Sequence, residues 1–313
     1  MKITLPSFSI EERDEARDGL AIIERAGRLC YKSEDKITEN SAEMFVRGLI
    51  KRRHFSVLEH GDAIFEIGDY HIYDNVADAL RTMRDFGNQA PMLEMTKIGG
   101  RCIISGNVRA WLELFDSGAL AGRYFIGCFD KLFIRDMGFE HDDAEPDPRV
   151  RQIFYADLAD PLEKLTHLRQ TVRFIVDRGV SHEFVRHRKM SITQESTRYC
   201  NYSDGRFGGE ITVIKPCFLA DRSEPCALWK RQCMSAETAY FHLLSMGLLP
   251  QEARCVLPHS TKAELMMTGT LAQWSHFIDL RARQITGAAH PQAAEVAVPL
   301  YMEFKLLYPD IFH

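Results

Sequence analysis

Between residues 173 and 198 the chain gathers side chains suited to holding a small anion. Arg173, Arg178, Arg186, Arg188, Lys189 and Arg198 stand there against Asp177, Glu183 and Glu195. This is a cationic island in a chain whose formal net charge is -5. Guanidinium forks donate paired hydrogen bonds to phosphate oxygens. Ser196 and Thr197 add hydroxyls and backbone N–H groups, so the set is able to cradle one phosphate. Charge alone favours a solvated or salt-bridged face. Within the island stands the order Arg186-His187-Arg188, seven residues, then Ser196.

Two other chemistries fail on spacing. His182-Glu183 with His187 is close to a zinc-protease helix, but that motif needs histidines four apart on one face. These are five apart, about 140° away from each other on a helix, so no metal is expected. No Gly-x-Ser-x-Gly elbow frames a serine, which removes the common serine hydrolase. The eight cysteines form no Cys-x-x-Cys pair, and reduced, mostly buried thiols are the expectation. The negative net charge argues against non-specific nucleic-acid binding. No apolar run approaches the ~20 residues that span a bilayer, and Met1–Pro6 lacks a signal-like stretch. A cytoplasmic protein without nucleic-acid or membrane partners is the default.

The elements that must position the island read as follows. One helix carries Leu20, Ile22, Ile23 and Ala26 up to about Arg28, and a second opens near Ser41 and ends at Lys51-Arg52-Arg53. Residues 63–67 read as a strand. From 68 to about 165 the pattern is irregular and ends in a proline-broken acidic loop at 140–148; it reads as an insertion in a single domain spanning 1–313. Ser181 is placed to cap a short helix. A strand at 211–214, a helix at 226–246 and a further helix at 261–280 follow. In the last, Met267, Leu271, Trp274 and Ile278 make a core stripe. A final helix opens at Pro291. No internal repeat is strong enough to claim.

The Arg186-His187-Arg188-x7-Ser196 run resembles the signature of the flavin-dependent thymidylate synthases (the ThyX family). It does not stand alone. Asp177-Arg178-Gly179-Val180-Ser181-His182-Glu183 leads into it, and His54-Phe55-Ser56-Val57-Leu58-Glu59-His60 is similar to an upstream family segment. Cys30-Tyr31-Lys32-Ser33-Glu34, Glu252-Ala253-Arg254-Cys255-Val256-Leu257-Pro258, Leu280-Arg281 and Ala289-His290-Pro291-Gln292 match further motifs. The resemblance implies an α+β fold, helices on a mostly antiparallel sheet, and a homotetramer whose sites draw on several subunits. It implies reductive methylation of dUMP to dTMP, with methylenetetrahydrofolate as carbon donor and NADPH-reduced FAD as hydride donor.

By the same resemblance dUMP would lie against Glu183, Phe184, Val185 and Arg186, against Gln194, Glu195, Ser196, Thr197 and Arg198, and against Arg254 and Arg281. Arg281 is the expected catalytic residue, a fixed cation beside the charge that develops on the pyrimidine. Ser196 has no neighbouring base to activate it and is read as a ligand contact. FAD would be held by Ser56, Arg186, His187 and Arg188 with Gln194 and His276, while His54 and Tyr199 would wall the folate or flavin face. Two departures stand out. Glu183 occupies a place where some relatives have Gln, and Thr270-Leu271-Ala272 replaces the usual Asn-x-Arg. Asn107-x-Arg109-x-Trp111 echoes the missing motif, so Asn107 and Arg109 are expected to take over part of the flavin contact, unless the echo is chance. Alternative readings keep the fold and change the outcome: C5-methylation of another uridine nucleotide, or a non-catalytic nucleotide-binding relative.

Overall fold

The computed structural model describes residues 1–12, 18–85, 92–137, 145–205 and 208–313. Helices α1 (Asp18–Tyr31), α2 (Ser41–Lys51) and α3 (Phe55–Leu58) lead into strand β3 (Asp62–Ile67), after the short strands β1 (Lys2–Thr4) and β2 (Ser7–Ile10). Helix α4 (Tyr70–Asp85) then precedes β4 (Leu93–Ile98) and β5 (Arg101–Asn107). After α5 (Val108–Asp116), α6 (Arg123–Ile126) and α7 (Lys131–Met137) comes β6 (Val150–Ile153). The order β4-β5-β3-β6 makes one antiparallel four-stranded sheet. Residues 68–165, irregular by pattern, thus contribute three strands of a regular sheet. Residues 140–144 of the acidic loop lie outside the described residues.

The second sheet has the order β2-β7-β10-β8, also antiparallel, with β7 (Arg169–Asp177), β8 (Ser191–Gln194) and β10 (Lys262–Thr270). Helix α8 (Pro161–His167) enters it and α9 (Arg178–Phe184) leaves β7. Strand β9 (Thr212–Ile214) pairs with β1 in parallel. Helices α10 (Glu224–Ser245) and α11 (Pro250–Ala253) precede β10, and α12 (Leu271–Arg281) and α13 (Pro291–Leu307) complete the chain. The architecture is α+β, as expected, with each sheet backed by its own apolar core. One core gathers Phe65, Trp111, Phe125 and Phe129; the other gathers Val172, Phe174, Trp274, Phe277 and Phe304.

Two local expectations are corrected. The helix expected over 261–280 is a strand to Thr270 and a helix only from Leu271. Strand β10 lies between β7 and β8 and is buried on both faces, so its apolar run lacks the alternation of a half-exposed strand. Ser181 lies inside α9, donating to Arg178 O at 2.9 Å. Its cap is Asp177, whose Oδ1 accepts from Val180 N at 2.7 Å, satisfying an N–H that the first helical turn leaves free.

Candidate functional site

The cationic run begins where α9 ends. Because the helix stops at Phe184, residues 185–190 form a turn whose polar side chains are not committed to a helical face. Phe184 itself points into the core, its ring centroid 5.1 Å from Phe174 and 5.0 Å from Phe277. The turn faces α12, and between them opens a cleft of about 580 Å³ lined by Arg186, His187, Arg188, Lys189, Met190, Thr270, Ala272, Gln273, His276, Leu280 and Arg281. Glu94 of β4 and Thr166 of α8 close its other side. Four cations against one lining carboxylate give a field suited to a phosphorylated ligand, and the volume is that of a small-molecule site.

Arg281 is the anchor of the cleft. Its Nη1 pairs with Glu183 Oε2, its Nη2 donates to Glu183 O at 3.1 Å, and its Nε donates to His187 Nε2 at 3.4 Å. Held on three sides, the guanidinium cannot swing freely. Burial, then Arg281 and then His276, push the His187 pKa down to about 4. His187 is therefore neutral at pH 7 and able to accept from Arg281.

His167 behaves alike. Its Nε2 meets Thr96 Oγ1 and its Nδ1 meets Ser105 Oγ, both at 2.7 Å. Burial, then Arg169, lower its pKa to about 4. Both histidines thus bind protons less readily in the folded chain than in the unfolded one, whose value is near 6.5. Their contribution to stability is intact above about pH 6.5 and is lost as pH falls towards 4. At pH 5 the loss is about 2 kcal/mol for each histidine. Urea midpoints at pH 7 and pH 5 check this: His167→Asn is expected to flatten the dependence, and an unchanged slope would refute the assignment.

The other expected site residues lie elsewhere. Glu195 is buried and ion-paired, with Lys262 Nζ at 3.1 Å and Lys32 Nζ at 3.8 Å. Gln194 Nε2 donates to Ser181 Oγ at 3.1 Å. Ser196, Thr197, Arg198, Tyr199 and Arg254 form a second, more open cluster. There Arg254 Nη1 donates to Thr197 Oγ1 at 3.1 Å, Arg198 Nε donates to Gln251 Oε1 at 2.9 Å, and Arg198 N donates to Ser196 Oγ at 3.3 Å. The Tyr199 ring lies 5.4 Å from Tyr31, and Tyr199 is 58% exposed. None of these residues lines the cleft.

His54 and Ser56 are exposed at the start of α3, also outside the lining. Asn107 caps α5, accepting from Ala110 N at 2.8 Å. Arg109 is tied to Glu59 and Glu113, each at 2.8 Å. Thr270, in the place of the family's Asn, caps α12 through Gln273 N at 3.3 Å. Glu94, Thr166 and Met190 were not singled out from the sequence. Glu94 reaches the cleft on β4, Thr166 on α8, and Met190 at the end of the turn that carries Arg186 to Lys189.

The family model described as thymidylate synthase complementing protein (Thy1) matches residues 14–73 and 150–310. Two relatives, each described as a flavin-dependent thymidylate synthase, come from Corynebacterium glutamicum and Corynebacterium aurimucosum. The first is 28% identical over 152 residues, covering 44% of this chain and 57% of that protein. The second is 30% identical over 153 residues, covering 44% and 59%. The chain thus spans less than two thirds of the length of these relatives. A UMP/dUMP methylase, PolB from Streptomyces cacaoi, superposes with a TM-score of 0.40 at 16% identity, over 98% of this chain and 93% of that one.

Proposed function

Because the chain belongs to the Thy1 family of thymidylate synthase complementing proteins, we propose that it is a flavin-dependent thymidylate synthase, a cytoplasmic methyltransferase converting dUMP to dTMP. The observation that carries this reading is the Arg281–Glu183–His187 arrangement at the wall of a cationic cleft. A pyrimidine that becomes nucleophilic at C5 must carry developing negative charge. A guanidinium already fixed by protein partners stabilises that charge without reorganising.

FAD fits the residues present. Arg186, Arg188 and Lys189 offer counter-charges to a diphosphate, while Met190 and Leu280 offer apolar wall beside the neutral His187. Bound there, the flavin would supply the hydride, NADPH the reducing equivalents and methylenetetrahydrofolate the carbon. Arg186 and Arg188 would orient the anion, His276 would border it, and Arg281 would face the pyrimidine. Ser196, Thr197, Arg198 and Arg254 form a complementary phosphate cradle outside the lining of the cleft, so completion of the site by self-association is part of the reading. The family match leaves out residues 74–149, which lie within the segment 68–165 that the sequence pattern sets apart.

The test is an absorbance spectrum of the purified protein with added FAD. A flavin band that bleaches with NADPH and shifts with dUMP is the expected result, and dUMP is expected to turn over in preference to UMP. A protein that takes up no flavin would overturn the reading and favour a non-catalytic nucleotide-binding relative.

A further inference from the structure

The two four-stranded sheets repeat one another. Their antiparallel orders, β4-β5-β3-β6 and β8-β10-β7-β2, correspond, and the first three strands of each also follow one another in the same chain order. In each, the second strand ends on a residue that pairs with the first residue of its neighbour and caps the next helix: Asn107 with Asp62, Thr270 with Arg169. Four residues beyond each cap stands a fully buried tryptophan. Trp111 Nε1 donates to Ala63 O at 3.1 Å, and Trp274 Nε1 donates to Gln170 O at 2.9 Å. The acceptors are equivalent in register, partnering Gly106 and Gly269. The space a Cβ would need is filled at Gly106 by the Leu93 side chain and at Gly269 by those of Gln273 and Met190.

The halves also bind one another reciprocally. His60, two residues before β3, places Nδ1 2.7 Å from Thr268 Oγ1 on β10. His167, two residues before β7, places Nδ1 2.7 Å from Ser105 Oγ on β5. Ser105 and Thr268 each lie two residues before a helix cap. A contact in which i meets j while the equivalent of i meets the equivalent of j is the mark of a two-fold interface.

We infer that the chain is an internal duplication folded as a pseudo-dimer, in which one chain takes the place of two subunits and carries one nucleotide–flavin site rather than two. The distribution of side chains supports the single site. The first half holds the 54–60 segment and Asn107-x-Arg109, where the second has 161–167 and Thr270-x-Ala272. The second half holds Arg281, where the first has Gly118. Neither half carries the full set. The two sets touch, because Ser191 Oγ donates to Glu59 O at 3.0 Å and Glu59 grips Arg109. This inference rests on the proposed function for the identity of the ligands, but not for the duplication.

Light scattering of the full chain, with equilibrium dialysis against FAD and against dUMP, tests it. The expected result is an assembly of two chains, four halves in all, binding one FAD and one dUMP per chain. An assembly of four chains or a lone chain, or two ligands per chain, would overturn it. If FAD fails to bind, the flavin reading falls, while the mass and the dUMP count still decide the duplication.

Discussion

Arg281→Ala is expected to lower the rate of dUMP methylation about 100- to 1000-fold, the usual cost of removing one preorganised charge-stabilising donor. FAD uptake is expected to change little, because Arg186, Arg188 and Lys189 remain in the cleft. The variant also has a signature that reports the contact of Arg281 with His187. Arg281 is the second cause, after burial, of the lowered His187 pKa, so its removal is expected to move that pKa upward. The movement is readable as a shift of the His187 ring resonances in a pH titration. Arg281→Lys is not expected to restore the rate. A lysine keeps the charge but has a single nitrogen, whereas Arg281 meets the Glu183 carboxylate, the Glu183 carbonyl and His187 with three. A variant of Arg281→Ala turning over within tenfold of the parent would remove Arg281 from the catalytic assignment.

The sequence made the cleft legible where chemistry is local. Arg186, His187 and Arg188 lie on one turn, and it was the family resemblance, carried by several ordered motifs, that connected them with Arg281 nearly a hundred residues away. What it left illegible was set by strand pairing. Glu94 enters the cleft because β4 pairs with β5 in a given register, and no pattern around residue 94 announces that. Strand β10 read as helix because burial on both faces erases the alternation that marks a strand. The duplication was hidden for a related reason. The features that repeat are a glycine, a capping side chain and a tryptophan at Gly106-Asn107-Trp111 and Gly269-Thr270-Trp274. The other positions of the two halves need only be apolar and of suitable size, so they have diverged. The Asn-x-Arg-x-Trp echo was its one visible trace, and only the register of β5 and β10 shows that Trp111 and Trp274 occupy equivalent places.

Trp274→Ala is expected to cost about 3–5 kcal/mol of stability. Trp274 is fully buried, 5.3 Å from Phe277 and 5.5 Å from Phe304 between ring centroids. Truncation removes the ring from between α12 and α13 and leaves Gln170 O without the indole donor. The surrounding rings are fixed by one another, as Phe174 and Phe277 also pack on Phe184, so the cavity has little room to collapse. Trp274→Phe keeps most of the contact area and loses chiefly the hydrogen bond, for which about 1 kcal/mol is expected. Trp111→Ala, at the equivalent place in the other half, is expected to match Trp274→Ala. Urea denaturation followed by circular dichroism checks all three. A loss below about 1 kcal/mol for Trp274→Ala, against the 3–5 expected of a large aromatic truncation, would show that α12 and α13 close over the gap. The platform that holds His276 and Arg281 would then owe its position to the strand-end cap at Thr270 rather than to the ring beneath it.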